Sequence, residues 1–111
     1  MSFNKVILHG NLTRDPETRS TTNGQSITSF SVAVSDTWTG KDGQKQERTN
    51  FVDCDCWGAR GETIAKYFSK GSPILVEGSL RHDSWDDKET GKKRSKLSVS
   101  VQGFSFVGSK R

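Results

Sequence analysis

Long apolar runs, cysteine and proline are all scarce in this sequence of 111 residues. No stretch approaches the roughly 18 apolar residues that a membrane-spanning helix needs, and the opening MSFNKVILHGNL lacks the apolar segment of a secretory signal. Its two cysteines, Cys54 and Cys56, are two residues apart in an apparent strand, so both side chains point the same way. We therefore expect a soluble cytoplasmic protein with two buried thiols, rather than a disulfide or a metal site.

What the sequence does contain is an excess of basic charge on a short chain. Seventeen Lys and Arg oppose thirteen Asp and Glu, which gives a net charge of +4, and only 30% of the residues are apolar. The excess favours a polyanionic partner without proving one. The length allows one domain with a modest core, which oligomerisation commonly stabilises.

Alternating apolar residues predict five strands, and a helical pattern predicts one short helix between the third and the fourth. The first three strands are placed at residues 5–12, 26–34 and 49–57, and the helix at 62–68 with Gly71 ending it. The last two strands have on their core sides Ile74, Val76, Gly78 and Leu80, then Leu97, Val99 and Val101, with a bulge at Gly103. This order predicts one all-β domain over residues 1–111, a five-stranded Greek-key OB barrel with one short helix.

Four aromatic residues fall outside the predicted core. Phe51 and Trp57 alternate with Asp53 and Asp55, opposite the apolar side of the third strand, and Trp85 follows Arg81 and Asp83 on the polar side of the fourth. Trp38 lies beyond the apolar part of the second strand. Rings interleaved with cations suit an unpaired nucleic-acid strand, because bases stack on the rings while Lys or Arg neutralises the phosphates. Candidate cations are Lys5, Arg19, Lys41, Lys45, Arg48, Arg81, Lys92, Lys93 and Arg94.

Several short blocks, in order and over essentially the whole chain, resemble the bacterial single-stranded DNA-binding protein family. They are NKVILHGNLTRDPETR, SDTW, TNFVDCDCWG and KYFSKGSPILVEGSLR, followed by Trp85. The resemblance implies an OB barrel that assembles as a homotetramer and binds single-stranded DNA without sequence preference in replication, recombination and repair. It implies a nucleoid-associated protein of the cytoplasm, with no enzyme activity, cofactor or metal.

Carried over by position, the family's DNA-binding residues fall on particular residues of this chain. Its stacking aromatics correspond to Trp38, Phe51, Trp57 and Trp85, and its cations to Lys5, Arg19, Lys41, Lys70 and Arg81. Asp53, Asp83 and Ser84 depart from the family pattern, in which basic residues are common at these positions, and weaken the local attraction for phosphate. Family members also usually end in a flexible tail with an acidic tip that recruits replication and repair proteins. We expect such recruitment to need a tail outside the residues that stop at Arg111.

Two other classes of function, an enzyme and a different OB module, fit the sequence less well. An enzyme would need a base near a nucleophile, but His9 and His82 are far apart in sequence, and the cluster of Asp83, Asp86 and Asp87 beside lysines is more typical of a solvated loop than of a metal site. Another OB module, such as a dimeric primosomal replication protein or an RNA binder, remains open, since stacking and phosphate pairing serve DNA and RNA alike.

Overall fold

Residues 2–107, the part of the chain that the computed structural model describes, form six strands and one helix. They are, in chain order, β1 (Val6–Leu12), β2 (Glu17–Ser20), β3 (Ser26–Thr39), β4 (Lys45–Trp57), α1 (Gly58–Tyr67), β5 (Pro73–Asp86) and β6 (Lys93–Phe106).

Five of the strands close into a barrel. The strand order is β1-β5-β6-β4-β3-β2, and a second pairing of β1 with β3, at Asn11↔Ala33 and Leu12↔Val32, joins the two ends. β2 lies outside this closure, paired with β3 alone. All pairings are antiparallel except that of β4 with β6, which is parallel through Cys54↔Val99. The predicted OB barrel, with its one helix before the last two barrel strands, is confirmed.

The core lies inside the barrel and under the helix. Alternate residues of each strand point inward, and the largest fully buried side chains include Phe30, Val32, Ile74 and Val76, with Ile64 contributed by α1. Cys54 and Cys56 belong to this core as free thiols, as predicted. The helix lies directly on the barrel wall, because a Cβ atom at Gly61 would overlap the carbonyl oxygen of Cys56.

Two long hairpins extend the barrel wall beyond the core. The β3–β4 arm keeps an unbroken register from Ile27↔Trp57 to Thr39↔Lys45, and the β5–β6 arm pairs as far as Asp86↔Lys93. Residues 35–48, which lie between the second and third predicted strands, are therefore mostly strand, and only the tip around Gly43, with φ of +80°, is a turn. The sequence pattern fails there because neither face of the arm is buried, so no apolar alternation marks the strands.

The predicted bounds of the helix are wrong, and one strand was missed. The helix begins at Gly58 rather than at residue 62, and its C-cap is Phe68 in an extended conformation, so that Gly71, with φ of +90°, belongs to the next turn instead of ending the helix. β2 lies between the first and second predicted strands, where no strand was predicted. All four of its residues are exposed, and an edge strand with no core side leaves no apolar signal.

Two leucines of the predicted core are also misplaced. Leu80 is 45% exposed and Leu97 is 59% exposed, because they lie on the β5–β6 arm where no second layer covers them. The predicted bulge at Gly103 is confirmed. Glu77 pairs with Gly103 and Gly78 with Val101, which leaves Gln102 as the extra residue in β6.

Candidate nucleic-acid interface

The four aromatic residues singled out from the sequence are all exposed. The exposed fraction is 43% for Trp38, 70% for Phe51, 43% for Trp57 and 47% for Trp85. Large rings left open to solvent at this extent are typical of a contact surface.

Three of these rings share the surface that we call the outer face, the side of β3, β4, β6 and β5 that points away from the core. Phe51 and Trp57 lie there because they alternate with the buried Cys54 and Cys56 on β4. The two residues are six positions apart, about 20 Å along a strand. On β5, Trp85 lies on the outer face together with Arg81, since Ile74 and Val76 point inward.

Trp38 lies on the other side of the β3–β4 arm. Ala33 pairs with Phe51 and therefore shares its face, and Trp38 is five residues further along a strand whose register is unbroken. The guanidinium carbon of Arg48 lies 5.3 Å from the centre of the Trp38 ring, in a cation–π contact. The structure thus groups three of the predicted rings and separates the fourth.

A basic cleft of about 580 Å³ lies beside Trp85 at the end of the β5–β6 arm. The residues that line it with Trp85 are Lys92, Lys93, Arg94, Ser95 and Lys96. Lys96 was absent from the sequence-based candidates, although its position alternates with Leu97 and Val99 and could have been assigned to the outer face. The cleft combines four basic residues with one aromatic residue, a combination suited to binding a base together with its phosphates.

A second opening, of about 410 Å³, has the Trp57 ring as one wall. Its other walls are Gly24, Gln25, Ser26 and Gly58. The Ser26 hydroxyl donates a 2.7 Å hydrogen bond to the Glu62 carboxylate, which holds the β2–β3 turn against the helix. Arg19 is in register with Ile27, which pairs with Trp57, so this predicted cation lies in line with Trp57, two strands away on β2.

Between Phe51 and Trp57 the outer face carries a cluster of ion pairs that we call the acidic band. Arg81 Nη2 lies 2.8 Å from Asp55 Oδ2, and Arg81 Nε lies 3.2 Å from Asp83 Oδ2. Lys96 Nζ lies 3.1 Å from Asp53 Oδ2. Three carboxylates thus engage two cations, one of which, Arg81, is a predicted DNA contact.

The other predicted cations are dispersed over the molecule. Lys5 forms a 2.6 Å ion pair with Glu77, and this hydrogen bond and charge lower the pKa of the Glu77 carboxyl. Lys41 lies at the tip of the β3–β4 arm. Lys70 lies in the turn between α1 and β5, where its backbone N–H donates a 2.8 Å hydrogen bond to Asp15. Arg81 and Arg19 therefore lie on strands of the sheet that carries the outer-face rings, whereas Lys70 lies in a turn.

The chain resembles known proteins in both sequence and fold. The sequence model described as the single-strand binding protein family matches residues 3–107. The chain belongs to this family. It is 36% identical to single-stranded DNA-binding protein 1 of Chlorobaculum tepidum over 97% of the chain and 67% of that relative. It is 40% identical to the single-stranded DNA-binding protein of Wolinella succinogenes over 97% of the chain and 66% of that relative, so this family member spans about two thirds of their length.

Solved structures agree with the fold of this family member. A deletion mutant of the single-stranded DNA-binding protein from Thermus aquaticus matches with a TM-score of 0.83 and 29% identity, over 96% of this chain and 51% of that one. A Plasmodium falciparum SSB in complex with ssDNA matches with a TM-score of 0.88 over 97% of both chains. Its 19% identity supports the fold alone.

Two of the three carboxylates in the aspartate cluster at 83–87 form ion pairs with arginines. Asp83 pairs with Arg81, and Asp87 accepts a 2.9 Å hydrogen bond from Arg94 Nε. The Glu89 backbone N–H and the Arg94 side chain hold the pKa of Asp87 below its usual value. Within residues 2–107 there is no group of three side chains that could hold a metal ion, and no helix long and apolar enough to cross a bilayer.

Proposed function

We propose that this chain binds single-stranded DNA without sequence preference and protects it during replication, recombination and repair in the cytoplasm. The observation that carries the proposal is the outer face, where three exposed rings stand beside a basic cleft. Bases stack on Phe51, Trp57 and Trp85, and Trp38 receives the strand where it passes round the β3–β4 arm. The predicted cations Lys5, Arg19, Lys41, Lys70 and Arg81, with the four of the cleft, neutralise phosphates.

Stacking explains why the binding would ignore sequence. Each base presents a π-face to an aromatic ring, at a gain of about 1–3 kcal/mol, and no hydrogen-bond code is read. The proposed role is binding rather than catalysis, and it is supported by relatives that are named for DNA binding.

A titration with oligo-dT tests this proposal directly. All three tryptophans are 43–47% exposed, so stacked bases should strongly quench their fluorescence. The logarithm of the binding constant should fall with the logarithm of salt concentration by about 0.7 for each neutralised phosphate. Unchanged fluorescence at saturating oligonucleotide, or affinity that ignores salt, would contradict the proposal. A duplex of the same length serves as the control and should quench far less, because its bases are already stacked.

We further propose that the chain forms a homo-oligomer, a tetramer as the family resemblance implies. β1 pairs with β5 from Val6 to Asn11 but with β3 only at Asn11 and Leu12, so within the described residues one edge of β1 has no strand partner from Val6 to Gly10. Ile7 on this segment is 63% exposed. An open strand edge with an exposed apolar side chain is a template for pairing with another chain.

Light scattering of the Ile7→Lys variant tests this interface. The wild-type chain should scatter as an assembly of four chains, and a lysine at the edge should lower the mass, because charge on an edge strand opposes pairing. The matched control is Tyr67→Lys, which places the same charge at a side chain of similar exposure (60%) on α1. A monomeric wild-type chain, or equal dissociation of both variants, would contradict assembly through β1.

A further inference from the structure

The acidic band lies where a DNA strand joining the outer-face rings would cross. Asp53 and Asp55 occupy the two outward positions of β4 between Phe51 and Trp57. Because phosphates and carboxylates repel each other, a strand stacked on both rings would pass over unfavourable charge. Both cations of the band, Lys96 and Arg81, are already paired with these carboxylates.

Arg81 reaches its partner across an intervening strand. It lies on β5 opposite Ser98 of β6, whereas Asp55 lies on β4 opposite Ser100 of β6, so the Arg81 side chain extends over β6. The Ser29 hydroxyl donates a 2.8 Å hydrogen bond to Asp55 and fixes that carboxylate from the other side. Arg81 is thus held flat on the outer face rather than extended toward solvent.

Ser98, which pairs with Arg81 across the β5–β6 ladder, carries an unsatisfied polar group. Its side chain is buried to 2% exposure, and its hydroxyl has no hydrogen-bond partner among the described residues. A buried hydroxyl without a partner is destabilising.

We propose that Asp53 and Asp55 compete with DNA phosphates for Lys96 and Arg81, and so set the affinity and the salt dependence of binding. The inference rests on the proposed function. In the free protein the carboxylates hold the two cations, and a bound strand must displace them. The chain therefore carries built-in competitors on its stacking surface, and each cation contributes less to affinity than an unpaired one would.

The Asp53→Asn variant isolates the competition for Lys96. Asn keeps the shape of the exposed side chain and removes its charge. Binding of oligo-dT at low salt should become about three- to tenfold tighter, the effect of one exposed charge at close range. The salt slope should steepen by up to about 0.7, because Lys96, no longer shared with a carboxylate, neutralises its phosphate more completely. Fluorescence anisotropy of labelled oligo-dT over a salt series measures both quantities.

A double-mutant cycle and a charge control complete the test. In the Lys96→Gln background, Asp53→Asn should lose the change in slope and most of the gain in affinity. Asp42→Asn removes the same charge at the arm tip, where no ion pair is formed among residues 2–107, and should stay within about twofold of wild type. The proposed competition would be overturned if Asp53→Asn did not raise the affinity for oligo-dT, or if Asp42→Asn raised it equally. It would also be overturned if Asp53→Asn raised the affinity undiminished in the Lys96→Gln background. A wild-type chain that fails to bind oligo-dT would instead refute the proposed function.

Discussion

Alanine at both Trp57 and Trp85 is expected to weaken oligo-dT binding by about 2–6 kcal/mol, because each ring supplies about 1–3 kcal/mol of stacking. This corresponds to a rise in Kd between about 30-fold and more than 10⁴-fold. The two rings lie on different strands, so their losses should be roughly additive. Both side chains are more than two-fifths exposed, so truncation opens no core cavity and the thermal midpoint should change little. Anisotropy of labelled oligo-dT reports the affinity without relying on the removed tryptophans.

Tyr67→Ala is the matched control for this double variant. Tyr67 is 60% exposed and meets Phe106 edge-on at the end of α1, away from the outer face. Removing it takes away exposed aromatic surface of similar kind and should leave Kd unchanged. A comparable loss of affinity on Tyr67→Ala would show that exposed aromatic area in general, rather than the outer-face rings, determines binding. A large fall in the melting temperature of the double variant would make Trp57 and Trp85 packing residues.

Strand alternation explains how much of the site could be read from the sequence. On β4 the apolar positions, with Cys54 and Cys56, face the core, and the alternate positions therefore face outward. The exposure of Phe51 and Trp57 could be predicted from this alternation alone. Trp38 was harder, because its side can be counted from Val34 only if β3 continues unbroken through polar residues to Thr39. That continuity is a property of the long arm and leaves no apolar pattern in the sequence.

The acidic band could not be predicted because it depends on how distant strands are placed side by side. Asp53 meets Lys96 only because β6 lies next to β4 in the barrel, and Asp55 meets Arg81 only because an arginine can span β6. The sequence showed carboxylates among the rings of β4 and β5. It did not show which cations they would hold, and this pairing decides whether Arg81 is free for phosphate.

The two core thiols are expected to be almost inert while the protein is folded. Burial, reinforced by the charges of Asp55 and Asp53, raises the pKa of the Cys54 thiol to about 12, from an ordinary value of 9.0. Since the thiolate is the reactive form, this shift alone should slow thiol modification near neutral pH by about three orders of magnitude. Absorbance with a chromogenic disulfide reagent should show no reaction of the native chain and complete reaction in denaturant. The Cys56→Ala variant reports Cys54 alone, and Thr22→Cys, in an exposed turn, provides a thiol that should react in the native state.

The same thiols make stability depend on alkaline pH. Burial also raises the pKa of Cys56, so both folded thiols keep their protons when the unfolded ones lose them. The folded state then binds more protons than the unfolded state, and the free energy of unfolding must fall as pH rises. This thiol-linked loss should begin near pH 9, the ordinary thiol pKa, and continue toward about 12, where Cys54 itself ionises. Denaturant unfolding of wild type and Cys56→Ala across this range measures it, and the variant should show the smaller decline. In the assay with the disulfide reagent, native thiols that react within tenfold of the denatured rate would contradict a closed core. Such a rate would show that the barrel opens readily at Cys54 and Cys56.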